Sequence, residues 1–449
     1  MARDNRKDRS PLIAVGVLIC LAVAFGGGGV RYGLANLVVQ IGALIILALN
    51  TAAVTDFWKT APLSLRILIT ISVLLPTVQL VPLPESLWKS LPGRDLVQQS
   101  FALTGKSGWA PMSVDPVRTA VALTGMIVPL TVIMVGWALT RAQLLKLGWL
   151  IVALGMINVV IGIPQALQGG LSFEIFPEPG PDGILYGTFA NRNSTGLFLV
   201  AALSFAAILP TPKPHSAALP IRLAICALLF VAILLTRSRT ALVLVAIPAL
   251  LTTFRALWWH HRNKQNRASP SIQTSLVVFG PLALGLGVMA AIVVVAPGRV
   301  GDTIERFDAT SDARTHIWED SGYAASRYWP VGAGMGAFDE VIQVDESLEN
   351  ATERRAGRAH NDFLEVAIEA GIAGIALIAF WLLAVLWFAW QAQFSKTRWA
   401  AWAGGAILIA VALQSITDYP LRNQSMLAVA SFAFLLLARI GSRSAEGKP

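Results

Sequence analysis

The residues best suited to chemistry cluster in Arg358-Ala359-His360-Asn361-Asp362-Phe363-Leu364-Glu365. Asn361 is a good helix N-cap, and Asp362 and Glu365 fall in the first turn, where acids complement the helix dipole. That spacing puts His360 at the mouth of a helix. The positive end of a helix disfavours imidazolium, so a neutral His360 able to accept a proton fits there. Glu365, about one turn along, pulls the other way. An ordinary loop-bonded histidine beside a cap is the bland alternative. Farther along, Gly371 and Gly374 are three apart and share a helix face. Small residues at that spacing read as a packing stripe against a neighbouring helix.

Arginines supply the second kind of chemistry. In Thr236-Arg237-Ser238-Arg239-Thr240, Ser238 or Thr240 can cap the helix that follows. An arginine beside such a helix start makes an anion site, while snorkelling at the membrane interface is the other use of Arg237 or Arg239. Tyr186-Gly187-Thr188-Phe189-Ala190-Asn191-Arg192-Asn193-Ser194 places Arg192 at another helix mouth, with Asn193 or Ser194 as its N-cap. The stretch from Ser311 through Arg314 and Trp318 reads as a helix over about 311–329, ended by Pro330 and the glycine-rich turn Gly332, Gly334, Gly336. Those glycines let backbone N–H groups approach an anion, or simply make a flexible turn. Trp318, Tyr323, Tyr328 and Trp329 suit stacking on sugar rings and equally suit an interfacial belt. No His/Cys cluster or compact carboxylate spacing marks a metal site, so no metal and no cofactor is expected. A P-loop and a dinucleotide fingerprint are absent too. Cys20 and Cys226 lie in apolar runs and read as small hydrophobes.

The elements that position these residues are membrane helices. Of 449 residues, 55% are hydrophobic and 14% charged, against roughly 25% charged in a soluble domain. A spanning helix needs roughly 20 apolar residues. Twelve candidates run over about 11–29, 34–54, 63–83, 118–140, 144–168, 194–210, 219–236, 239–257, 275–296, 362–390, 399–417 and 424–440. Period-two alternation is missing, which excludes a β-barrel. Gly26–Gly29 offers no small-x-small cleavage site, so the first span is not read as a signal peptide, and the glycine run reads as a flexible helix end. The net charge of +9 taken alone suggests a nucleic-acid partner. Alternating the spans from a cytoplasmic N-terminus divides it into +15 on the cytoplasmic side and −6 on the other. It is therefore an orientation signal, and no nucleic acid is expected. Three external segments, 84–117, 169–193 and 297–361, are long enough to hold chemistry. The expectation is an all-α polytopic membrane protein: one integral domain over 1–449, about twelve helices, both termini cytoplasmic, and a long external loop at 297–361 before the tenth helix.

These segments together resemble the O-antigen ligase and polysaccharide polymerase superfamily of bacterial membrane glycosyltransferases. The strongest match is His360-Asn361, nine residues, then Gly371 and Gly374. Arg314, Trp318, Pro330, Gly332 and Gly334 look like the family's loop motif, with Gly332 one residue closer than its spacing. Ser238-Arg239 is similar to its helix-start motif, and Gly187-Thr188-Phe189-Asn191-Asn193 to a further one. The resemblance covers roughly residues 180–440, whereas 1–170 contribute only hydrophobic spans. It implies a GT-C-like membrane glycosyltransferase of the inner membrane, acting at the periplasmic face without a metal. The donor is an undecaprenyl-diphosphate-linked glycan. The acceptor is lipid A–core, a second lipid-linked glycan or a protein. Asp418-Tyr419-Pro420-Leu421-Arg422 looks like members tied to exopolysaccharide assembly. His360 is then the base for the acceptor hydroxyl, and Arg239 and Arg314 offset the leaving diphosphate. Arg192, Arg237, Arg358, Asn361 and Trp318 are the candidate substrate-binding residues. The rival from another class is a transporter or flippase of lipid-linked sugars, which puts polar groups at mid-membrane on broken helices. Here the distinctive polar residues are expected at outer helix ends.

Overall fold

A computed structural model describes residues 10–168, 175–176, 183–211, 216–265, 314–349 and 357–441. Apart from a two-residue antiparallel pairing of Pro82–Leu83 with Ala110–Pro111, the regular structure is helical. In chain order the helices are α1 (Ser10–Phe25), α2 (Gly33–Leu49), α3 (Thr51–Thr60), α4 (Leu63–Leu80), α5 (Glu85–Trp88), α6 (Asp95–Thr104), α7 (Pro116–Gly125), α8 (Ile127–Gly136) and α9 (Arg141–Gln168). They continue with α10 (Arg192–Ile208), α11 (Ala218–Leu235), α12 (Arg239–Leu244), α13 (Ala246–Gln265), α14 (Arg314–Tyr328), α15 (Phe338–Asp345), α16 (Asp362–Ala392), α17 (Arg398–Gln414) and α18 (Gln424–Gly441). Among the described residues, seven helical segments are long and apolar enough to cross a membrane, and the bent pair α2–α3 makes an eighth. Two of the seven join neighbouring helices, α7 with α8 and α12 with α13. The expected span 275–296 lies outside the described residues.

The chain is thus a multi-pass, all-α membrane protein, and its inner helices are recognisable by composition. In α18, Met426, Val429, Phe432, Leu435 and Leu436 are all fully buried, and α10 is buried from Ser194 to Ala206. A helix apolar on every side belongs in the middle of the bundle. Helices α1, α8, α16 and α17 pack around α18. A Cβ on Gly404 would stand 2.4 Å from the Ala433 carbonyl oxygen, so α17 and α18 approach backbone to backbone. The C-terminal half of α16 instead exposes Phe380, Leu383, Leu386 and Trp390, as a lipid-facing surface should.

Two of the expected spans are sharply broken. The stretch 34–54 breaks at Asn50, and α3 turns 77° away from α2. Asn50 competes for the backbone, its Nδ2 donating to the Ile46 carbonyl at 2.8 Å. The span 362–390 breaks at Gly371, whose φ of 54° and ψ of −142° are not helical. Gly371 and Gly374 therefore do not form one helical stripe. The break exists because a loop intrudes: a Cβ on Gly371 would meet the Pro330 carbonyl oxygen at 2.0 Å, and Ile372 N–H donates to that same oxygen at 3.0 Å.

The intruding loop belongs to a layer packed on the N-terminal end of α16. A small apolar core of Ala324, Tyr328, Phe338, Val341, Ile342 and Ile368 joins α14 and α15 to that end of α16. Arg327 ties α14 to Asp345 of α15 at 2.6 Å and to Asp95 of α6 at 3.1 Å. The first third of the chain is more than hydrophobic spans, because it supplies two clasps for this layer. Gln79 of α4 donates to the Glu369 carbonyl and accepts from Met335 N–H, both at 2.9 Å. Arg94, 2% exposed, donates to the carbonyls of Pro92, Met112 and Gly332. Burial pulls its guanidinium down to about 10.

Candidate functional site

His360 sits where the layer of α14 and α15 meets α16. Asn361 caps that helix as its sequence requires, its Oδ1 accepting from Leu364 N–H at 3.1 Å. His360 itself has a φ of 51°, a left-handed conformation uncommon outside glycine. Such a residue persists when its neighbours over-determine it, at a cost of about 1–3 kcal/mol. They do so here. The Trp318 indole donates to the Ala359 carbonyl at 2.8 Å, Ala359 N–H donates to Glu365 Oε1 at 3.0 Å, and Asp362 N–H donates to the Ser415 carbonyl at 2.8 Å.

The imidazole faces Asp418, which follows α17. His360 Nδ1 lies 3.3 Å from Asp418 Oδ1, and the carboxylate is 1% exposed against 32% for the imidazole. Asn191 Nδ2 reaches the other carboxylate oxygen at 3.5 Å, and the Tyr419 ring stands 5.0 Å from the imidazole. A carboxylate at Nδ1 fixes the tautomer with the proton on that nitrogen, leaving the Nε2 lone pair available as a base. Burial, followed by the charge of Asp418, pushes the Tyr419 phenol up to about 12. The Glu365 carboxylate pairs with Arg358 and Arg422.

Glu365 belongs to a second cluster. Asp362, Glu365 and Glu369 occupy positions i, i+3 and i+7, one stripe along the first two turns of α16. Arg422 meets all three, at 3.3 Å, 3.1 Å and 2.9 Å. Burial alone would lower its pKa, but Glu369, Glu365 and Asp362 outweigh that and hold the guanidinium above its ordinary value. Arg358 adds a 3.1 Å bridge to Glu365. Charge therefore runs into α16 beyond its first turn, deeper than the outer helix ends where it was expected.

Both clusters border one cleft of about 2160 Å³. Its polar end carries Arg31, Arg118, Arg192, Arg358, His360 and Arg422, and its walls continue along apolar faces through Leu75, Leu130, Leu377, Val385 and Phe434. Of the residues expected from the sequence, His360, Arg358 and Arg192 line this cleft. Asn361, Arg237, Arg239, Arg314 and Trp318 are not among its lining residues. Asn361 works as a cap. Trp318 donates its N–H to the backbone beside His360, which makes it a positioning contact. Arg314 lies one turn before Trp318 in α14. Arg239 opens α12, capped by Ser238, whose Oγ accepts from Ala241 N–H at 3.2 Å and donates to Asn193 Oδ1 at 2.8 Å. Thr240 Oγ1 lies 3.4 Å from Thr417 Oγ1, next to Asp418. Arg237 also has a φ of 51° and sends its guanidinium toward Gly183. The cap of α10 is Asn191, not Asn193 or Ser194, and its Oδ1 accepts from Asn193 N–H at 2.8 Å.

Sequence reasoning missed the pairing of Asp418 with His360 and the place of Arg422 among three carboxylates. A usable signal was present: two opposite charges inside a short turn between apolar helices, in a chain with only 14% charged residues.

The histidine–carboxylate pair thus borders a cleft with both charged and apolar lining in a multi-pass membrane protein. Residues 224–379 match the family model described as O-antigen ligase, and that match supports a likeness to the O-antigen ligase-like superfamily. No curated protein matches the chain. The matched segment contains Arg237, Arg239, Arg314, Trp318, Arg358, His360, Asn361 and the break at Gly371. It excludes Arg192 and the Asp418–Arg422 turn. The family supports a ligase- or polymerase-type membrane function with glycosyltransferase-like activity on lipid-linked glycans.

Proposed function

We propose that this protein transfers a glycan from an undecaprenyl-diphosphate carrier to an acceptor hydroxyl at the periplasmic face of the bacterial inner membrane. The acceptor is lipid A–core in a ligase, or a second lipid-linked glycan in a polymerase. Twelve spans in a GT-C-like arrangement within one membrane domain, with both termini cytoplasmic, complete the reading. The observation that carries it is the His360–Asp418 pair at 3.3 Å, with the imidazole bordering a cleft that continues along apolar walls.

In this reaction His360 Nε2 takes the proton of the acceptor hydroxyl. The acceptor oxygen forms a bond to the anomeric carbon, and the bond from that carbon to the diphosphate oxygen breaks. The diphosphate leaves with the electron pair, so no nucleotide triphosphate is consumed. Asp418 holds the imidazole tautomer and stabilises the imidazolium that forms. Arg239 and Arg314, together with the cleft-lining Arg192 and Arg358, offset the diphosphate charge in place of a metal. The neighbours of Arg239 and Arg314 support this assignment from two sides: Thr240 contacts the residue before Asp418, and Trp318 holds the residue before His360. The carbonyl-held left-handed backbone keeps the base where the hydroxyl must arrive.

The flippase reading has one observation in its favour, the broken α16 with Glu369 buried just before the break. Transfer between purified donor and acceptor in detergent, with no membrane to cross, separates the two. Wild-type protein should carry it out, and His360→Ala should lose roughly 10²–10⁴ in rate while folding normally. A His360→Ala variant that transfers at the wild-type rate would end the assignment.

A further inference from the structure

The cleft has a wall that this reaction scheme leaves idle. It is built by the N-terminal helices and the start of α18, outside the segment matched by the family model. Asn36 and Gln40 lie one turn apart on α2, and Gln424 opens α18; all three line the cleft. Gln424 is 7% exposed, and its Oε1 has no hydrogen-bond partner. Asn36 Oδ1 is likewise without a partner, although its Nδ2 donates to the Gly29 carbonyl at 2.6 Å. Asn36 and Gln424 flank one glycine turn, Gly26–Gly29. The glycine turn that was expected to be flexible packs tightly against Gln424, since a Cβ on Gly26 would stand 2.7 Å from Gln424 Cβ.

A buried acceptor is ordinarily satisfied, and one left open calls for a donor from elsewhere. Carboxamides are neutral and planar, so they suit hydroxyl donors rather than a charged head group. The wall also adjoins the reacting end. Gln424 lies two residues beyond Arg422 and five beyond Tyr419, whose ring meets His360.

We propose that Asn36, Gln40 and Gln424 form a saccharide subsite that receives the hydroxyls of a sugar ring next to the His360–Asp418 pair. The proposal rests on the glycan-transfer reading and adds to it where one glycan is held. The same chemistry serves a sugar of the donor or a sugar of the acceptor.

Binding to the full-length protein in nanodiscs tests it without requiring turnover. Three probes distinguish the sources: undecaprenyl diphosphate without sugar, the same carrier loaded with glycan extracted from native membranes, and lipid A–core lacking that glycan. Gln424→Met removes the amide at similar length. It should weaken one glycan-bearing probe about tenfold, the scale of one or two lost hydrogen bonds, and leave the sugar-free carrier within about twofold. Loss on the loaded carrier assigns the subsite to the donor, and loss on lipid A–core assigns it to the acceptor. Gln40→Leu, a good helix former inside α2, should weaken the same probe and guards against a Gln424 variant that does not fold. Unchanged binding of both glycan-bearing probes, or an equal loss on all three, would overturn the subsite. His360→Ala should keep the wild-type preference for glycan-bearing probes. Failure of the catalytic assignment is read separately, from its transfer rate.

Discussion

Two charged clusters share the N-terminal end of α16, and they are built on opposite principles. Around Arg422 the charges are closed in: one guanidinium reaches three carboxylates at 3.3 Å or less, with Arg358 closing the edge and only Glu369 Oε1 left without a partner. Around His360 the carboxylate is buried and the imidazole is one-third exposed. A network with its charges paired holds shape, whereas a pair with one open nitrogen can exchange a proton with something in the cleft. The difference assigns the first cluster to architecture and the second to chemistry, though residues of the same helix start serve both.

Breaking the closed cluster should have the largest effect on the fold. Arg422→Met leaves Asp362, Glu365 and Glu369 buried together without their main cation. A loss of about 3–5 kcal/mol is expected, read as a collapse of the thermal unfolding midpoint in detergent. Breaking the open pair should spare the fold and strike the rate. Asp418→Asn frees the imidazole to take the wrong tautomer, and kcat should fall by about 10²-fold or more with a nearly unchanged unfolding midpoint. If Asp418→Asn unfolds the protein while Arg422→Met does not, the division between the clusters is reversed.

Tyr419 sits between the two and gives a smaller, pH-dependent effect. Its folded pKa of about 12 lies above the ordinary phenol value of 10.0. Its neutral form is thus the one the fold accepts. That stability is intact below pH 10 and is lost as pH rises through about 12. Tyr419→Phe should flatten that alkaline step in an unfolding titration while leaving neutral-pH stability nearly unchanged. The smallest effect belongs to the cap of α12. Ser238→Ala removes the bond to Ala241 N–H and should cost about 1 kcal/mol, seen as a modest drop in the unfolding midpoint.

Local features were legible in the sequence because local rules decide them. Asn361 and Ser238 cap the helices they precede, and α14 ends just before Pro330. What the sequence could not state was which distant groups converge. His360 and Asp418 are 58 residues apart, and Arg422 reaches Glu369 across 53. Hydropathy also cannot show a break imposed from outside. Gly371 lies within an apolar stretch that reads as one helix, and only the Pro330 carbonyl pressing on it explains the interruption. Asn50 bends α2 from α3 by a side-chain bond that composition does not display.

A double-mutant cycle on glycan transfer tests the central claim most directly. With purified protein, Asp418→Asn should lower kcat/KM by about 10²-fold in the wild-type background and add almost nothing once His360 is replaced by Ala. An Asp418→Asn loss that persists in full in the His360→Ala background, or a His360→Ala protein with the wild-type rate, would contradict a histidine base held by Asp418.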